Sequence, residues 1–234
     1  MKRVSKGPPL PLILIAGTHG GDMPWWRAHS TFGRAVPSHL AKLVNGKDPY
    51  RWTTDLDGVF GKNARWEISA RALSWYIQAK LCGPDGHPPP VNIIAHSHGG
   101  NVALIAAARY NVRIATLITA CTPPRRDLNN DYAEAKINID KWIHLYSDGS
   151  DYWQWLGALG QRIAGYFRTM PYADRNIFIS GGHSCGVLNP EVWTEKDLWA
   201  FLSPMVLPTK PIRRKRDDRR TVDRDCQVDR ARGR

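Results

Sequence analysis

Val91-Asn92-Ile93-Ile94-Ala95-His96-Ser97-His98-Gly99-Gly100 runs straight on into Asn101-Val102-Ala103-Leu104-Ile105-Ala106-Ala107-Ala108. The first half is a short apolar, β-branched run of the kind a fully buried strand needs. The second half is Ala-rich and has strong helix propensity. Only His-Ser-His-Gly-Gly lies between them, so the chain must reverse within a very tight turn. Residues two before and two after the apex of such a turn touch, and Ala95 and Gly99 are small enough to do so. Gly100 lets the following helix pack closely. The apex is Ser97, whose hydroxyl is expected to stand clear of the sheet beside the amides that open the helix. That pattern predicts a nucleophile elbow.

Two other readings of the same stretch compete. Ser97 would cap the helix if its hydroxyl bonded the first turn of amides. His96 and His98 would bind a metal if a third ligand joined them, but Gly100 and Asn101 stand where further ligands would be needed, and two imidazoles make a poor zinc site. No metal and no cofactor is expected.

Outward from the elbow, apolar strand segments alternate with helical ones. Leu12 to Ala16 reads as the first buried strand, ending in Gly17-Thr18-His19-Gly20-Gly21-Asp22 and followed by Trp25-Trp26. Thr31 to Val44 reads as helical with an interruption at Pro37, and Tyr50 to Thr53 as a second strand. Asn63 to Leu81 has helical apolar spacing at Ile68, Ala72, Trp75 and Leu81. Gly83 to Pro90 is a turn-rich connector. Beyond the elbow helix, Arg113–Ala120, Trp142–Tyr146 and Asn176–Ser180 read as strands. Tyr152 to Phe167 and Asn189 to Phe201 read as helices. Arg125 to Asp140 is the one candidate for an inserted cap, and it is short. Continuously apolar strands between helices predict an α/β fold, a mostly parallel sheet covered on both faces, with a minimal cap or none.

The 234 residues suit one domain, expected over 1–208. The net charge of +12 is unevenly placed. Residues 209–234 hold eleven Lys/Arg and five Asp, half of the excess, with almost nothing apolar to bury. A disordered basic tail is expected there, able to touch an anionic surface peripherally, with its Asp residues blunting that attraction. No specific nucleic-acid partner follows. Cys82, Cys121, Cys185 and Cys226 show neither CxxC pairing nor metal spacing. The apolar run near the start is short, broken by Pro11, and leads into Gly-Thr-His rather than a cleavage site. A soluble cytoplasmic protein is expected.

A serine hydroxyl becomes a nucleophile when a base takes its proton and a third group orients that base. On a parallel sheet these partners lie on loops after later strands, in the order Ser, acid, His. Of the eight histidines, His183 has that address, just past the last strand. Asp148 and Asp151 share the loop after the preceding strand. Asp151 is preferred because Tyr152-Trp153-Gln154-Trp155 follows it and would shield an Asp–His bond from water. For the oxyanion, one donor is expected from the His98 amide and another from the Gly17–Gly21 loop, with Thr18 preferred over His19 and Gly20. Trp25, Trp26 and Trp153 are candidate walls for an acyl pocket, though aromatics at such positions commonly pack as core.

Ile15-Ala16-Gly17-Thr18 with Trp25-Trp26, the Ala95-to-Gly100 elbow and the late Asp151 and His183 resemble the α/β-hydrolase superfamily, in particular its bacterial lipase-like and esterase-like members. The resemblance covers about Leu10 to Pro204. Ala16 stands where a His often precedes the oxyanion glycine, and Ala95 replaces the first elbow glycine. The resemblance implies Ser97, His183 and Asp151 as nucleophile, base and acid, with the Thr18 and His98 amides as the oxyanion hole. It further implies a cofactor-independent hydrolase of small-molecule or lipid esters. An amidase, thioesterase or acyltransferase would use the same triad, and a non-catalytic binding protein would keep the fold and use the tail.

Overall fold

The structure is a computed structural model that describes residues 9–17, 24–44, 50, 64–147, 169–182 and 186–202. Among these residues the sheet has six strands, β1 (Leu10–Ile15), β2 (Ala41–Leu43), β3 (Val91–His96), β4 (Ile114–Ala120), β5 (Ile139–Tyr146) and β6 (Arg175–Phe178). Their spatial order is β2-β1-β3-β4-β5-β6, and every neighbouring pair is parallel. The helices are α1 (Thr31–Ala35), α2 (Ala64–Leu81), α3 (His98–Tyr110), α4 (Asn129–Ala135) and α5 (Pro190–Glu195). No helix among the described residues is long and apolar enough to cross a membrane.

Alternation along each strand feeds two cores. Ile13, Ile15, Ile93 and Leu117 pack under α2, α3 and α4 on one face. Leu12, Leu14, Ile94 and Ile118 meet Phe32 of α1, Trp193 of α5 and Trp199 on the other. Both faces are covered, which is why β3 and β4 are buried at every position and read as mostly apolar rather than alternating runs.

Several expectations need correction. The helix expected over Thr31–Val44 ends at Ala35, because Pro37 disfavours helical backbone in Val36 before it. The chain then turns through Pro37–Leu40 and Ala41–Leu43 pairs with Leu10–Leu12 as edge strand β2. Tyr50, expected to open a strand, belongs to none; its hydroxyl donates to the Ser69 carbonyl at 2.6 Å, and 51–53 lie outside the described residues. The Arg125–Asp140 segment is no cap. It is a 3-10 turn (126–128), crossover helix α4 and the first residues of β5. The last helix divides at Asp197, whose left-handed φ of 52° separates α5 from a 3-10 turn over 198–201.

The face of α2 is the largest departure. The 3.6-residue period holds, but Ile68 and Trp75 point outward, 66% and 55% exposed. The buried stripe is Trp66, Ala70, Leu73 and Ile77. Arg71 lies over the exposed Trp75 ring at 4.6 Å, which covers part of its apolar face.

Candidate active site

From β1 the chain steps out to β2 and then crosses back to β3 on the other flank of β1. The strand order therefore reverses between β1 and β3, the point at which open parallel sheets form a crevice beyond their carboxyl ends. Two segments leave the sheet there, Gly17 after β1 and Ser97 after β3.

Ser97 takes φ 51° and ψ −133°, backbone angles that glycine dominates and that cost an L-residue about 1–3 kcal/mol. Its side chain makes no capping hydrogen bond, which removes the N-cap reading. The Ser97 amide donates to the Ala120 carbonyl at 2.8 Å, pinning the turn to the end of β4. The glycines allow this approach in a way that sharpens the sequence reading. A Cβ on Gly99 would meet the Ala16 carbonyl at 2.3 Å, so its smallness serves contact with the end of β1. A Cβ on Gly100 would meet Thr122 Oγ1 at 2.0 Å, so α3 packs there on the segment after β4. Gly17, in turn, has room for no side chain because Ser97 Cβ and His96 Nδ1 would lie 2.7 and 2.9 Å from its Cβ.

The imidazoles beside Ser97 diverge. His96 meets the edge of Trp25 at 6.2 Å between centroids, while His98 stacks on Trp66 at 4.8 Å. Those two tryptophans belong to opposite cores, so the rings do not converge as a ligand pair. Asn101 Nδ2 donates toward His98 Nδ1 at 3.4 Å and to the Pro123 carbonyl at 3.3 Å. An amide donor at Nδ1 leaves the ring proton on Nε2. Asn101 Oδ1 accepts from the Tyr132 hydroxyl at 2.8 Å, and that oxygen accepts from the Arg125 amide at 3.0 Å. Burial pushes the Tyr132 phenol well above its ordinary value, keeping it a neutral donor. The first turn of α3 is thus tied to α4 and to the chain after β4 by one buried network. In the sequence its one local sign is Asn101, a polar residue among alanines that are buried.

Of the expected site residues, Ser97 and His98 are placed together, at 8% and 9% exposure. Trp25 and Trp26 are buried among core aromatics, Trp25 with its edge toward Phe32. Thr18, His19, Gly20, Asp148, Asp151, Trp153 and His183 lie outside the described residues, as does the 209–234 tail. Their anchors are visible. β5 ends at Tyr146, and buried Ser147 follows it directly before Asp148. Past β6, Gly181 and Gly182 take φ 109° and 75°, and a Cβ on Gly186 would meet the Ser180 carbonyl at 2.0 Å. Gly186 thus packs directly on Ser180.

A family model described as alpha/beta hydrolase fold matches residues 65–190. No curated protein matches the chain. Among solved structures, a predicted CIB-like hydrolase from Thermoplasma acidophilum shares the fold at TM-score 0.52 and 15% identity, over 85% of this chain and 88% of that one. A dienelactone hydrolase from Anabaena variabilis aligns at TM-score 0.48 and 17% identity, over 84% and 88%. A lipase from Bacillus licheniformis aligns at 0.47 and 11%, over 83% and 93%.

Proposed function

Because the chain belongs to the α/β-hydrolase fold family, we propose that it is a serine hydrolase that cleaves carboxylic esters through an acyl-enzyme. The observation that carries this reading is Ser97 itself, held at φ 51° on the apex of a strand–turn–helix with no capping bond. A residue kept in a costly conformation at the carboxyl edge of a sheet supports a chemical role for its hydroxyl.

In the proposed reaction Ser97 Oγ attacks the ester carbonyl carbon while His183 accepts its proton. Asp151 orients that imidazole and stabilises its charge, with Asp148 the rival on the same loop. The oxyanion is met by the His98 amide at the start of α3 and by the Thr18 amide. Support for the latter comes from Gly17, the residue before Thr18, which lies against Ser97. His183 then returns the proton to the leaving alcohol. Water, activated by the same base, releases the acid. Trp25 supports an apolar wall near the acyl group, because its ring borders His96.

The test is turnover of 4-nitrophenyl esters from acetate to palmitate. Ser97→Ala and His183→Ala are expected to lower kcat by about 10³–10⁴-fold or more. Asp151→Asn is expected to approach them while Asp148→Asn does not. A folded wild type that turns over none of the esters contradicts ester hydrolysis.

A further inference from the structure

A cleft of about 450 Å³, a size suited to a small ligand, lies between the chain that follows β4, α4 and the residues ahead of β6. Arg125, Arg126, Asn129, Tyr132 and Thr169 contribute to its lining, which among the described residues includes no Asp or Glu. Its two cations are in different states. Arg125 is fixed: Nε and one terminal nitrogen donate to the Asp127 carboxylate at 2.9 and 2.8 Å, and its guanidinium lies over Trp66 at 4.6 Å. Arg126 is exposed, and no described carboxylate pairs with it. Among the described residues the cleft thus presents a neutralised, rigid wall and one guanidinium with no carboxylate paired to it.

The same cleft is built onto the Ser97 turn. Residues 120–125 run alongside the start of α3, through the Ser97–Ala120 and Asn101–Pro123 hydrogen bonds. Tyr132 lines the cleft and donates to Asn101, four residues past Ser97. Trp66 joins Arg125 to His98. We infer that the cleft is a subsite of the Ser97 centre that takes an oxyanion on the substrate, a carboxylate or a phosphoryl group, with Arg126 recognising its charge. A guanidinium suits either group because its planar fork matches two oxygens at once. Asn129 and Thr169 supply neutral polar groups nearby. The inference rests on the reading of Ser97 as nucleophile and narrows its substrates to esters bearing a negative charge.

The experiment compares 4-nitrophenyl hexanoate with the 4-nitrophenyl monoester of adipic acid, which has the same acyl length but ends in a carboxylate. Wild type is expected to prefer the charged ester, and added salt to weaken the preference. Arg126→Gln should lower the ratio of the two kcat/KM values about 10-fold or more, and Arg126→Lys should restore part of it. An unchanged ratio overturns the proposal. Adipate and inorganic phosphate, each tested as a competitive inhibitor, separate the two oxyanion chemistries; inhibition by neither also overturns it. Calorimetric binding of the same two anions to Ser97→Ala, with and without Arg126→Gln, reads the cleft without turnover. Arg126-dependent binding in a wild type that hydrolyses neither ester counts against the nucleophile and leaves the anion site standing. Loss of the ester preference with a working Ser97 counts against the cleft alone.

Discussion

Gly17 lies flush against Ser97: a single methyl group added to Gly17 would come within 2.7 Å of Ser97 Cβ. Gly17 at the end of β1 and the turn after β3 are therefore packed together, although 80 residues separate them. Gly17→Ala is expected to displace the turn or the loop and to lower kcat/KM by at least about 100-fold, the scale of one lost oxyanion donor. Circular dichroism should show the fold retained. Wild-type turnover in this variant contradicts the contact.

The positive φ of Ser97 makes a separate prediction about stability. Ser97→Gly removes the steric cost at φ 51° while adding the entropy of a glycine to the unfolded chain. A net gain of about 1 kcal/mol is expected, together with loss of activity. Denaturant midpoints at constant m-value measure it. A destabilised Ser97→Gly protein would show that the turn is relaxed.

Tyr132→Phe removes the hydroxyl that both accepts from the Arg125 amide and donates to Asn101. Two buried groups then lose their partner, at a cost of about 1–3 kcal/mol. Unfolding in urea reads that cost. Unchanged stability would mean that water replaces the hydroxyl at no expense.

Alkaline pH provides a further check. Burial, with a hydrogen bond to Glu67, pushes the Tyr110 phenol up to about 12, and burial alone pushes Tyr50 well above its ordinary value. Between the unfolded value near 10 and the folded one, the unfolded chain has released protons that the native protein retains. Stability is thus complete below about pH 10 and falls as pH rises toward 12. Absorbance at 295 nm should show these phenols ionising late and together with unfolding. Early, independent ionisation contradicts their burial.

The elbow was legible because each local requirement was satisfied in order: an apolar run, small residues about the apex, and a helix-forming segment. Its partners across the fold were less so. Gly99 and Gly100 are small for contacts with Ala16 and Thr122, neighbours that only the sheet order supplies. In α2 the period was clear but the face was not, since Trp66, Ile68, Leu73 and Trp75 place apolar side chains around the helix. Packing on β1 and α3 selects Trp66 and Leu73, and Arg71 shields Trp75. β2 was hidden by its length: Ala41-Lys42-Leu43 is too short to show a period and is a strand because β1 offers it an edge. The Asn101–Tyr132 bond joins residues 31 apart, and nothing local in either segment signals the other.

The central claim is that the hydroxyl of Ser97 forms a covalent bond with substrate. A fluorophosphonate probe followed by peptide mass mapping tests it most directly. The account predicts one adduct, on the peptide containing Ser97, absent from Ser97→Ala and slowed by an ester substrate present during labelling. A folded wild type that stays unmodified, or an adduct on a different residue, would contradict it.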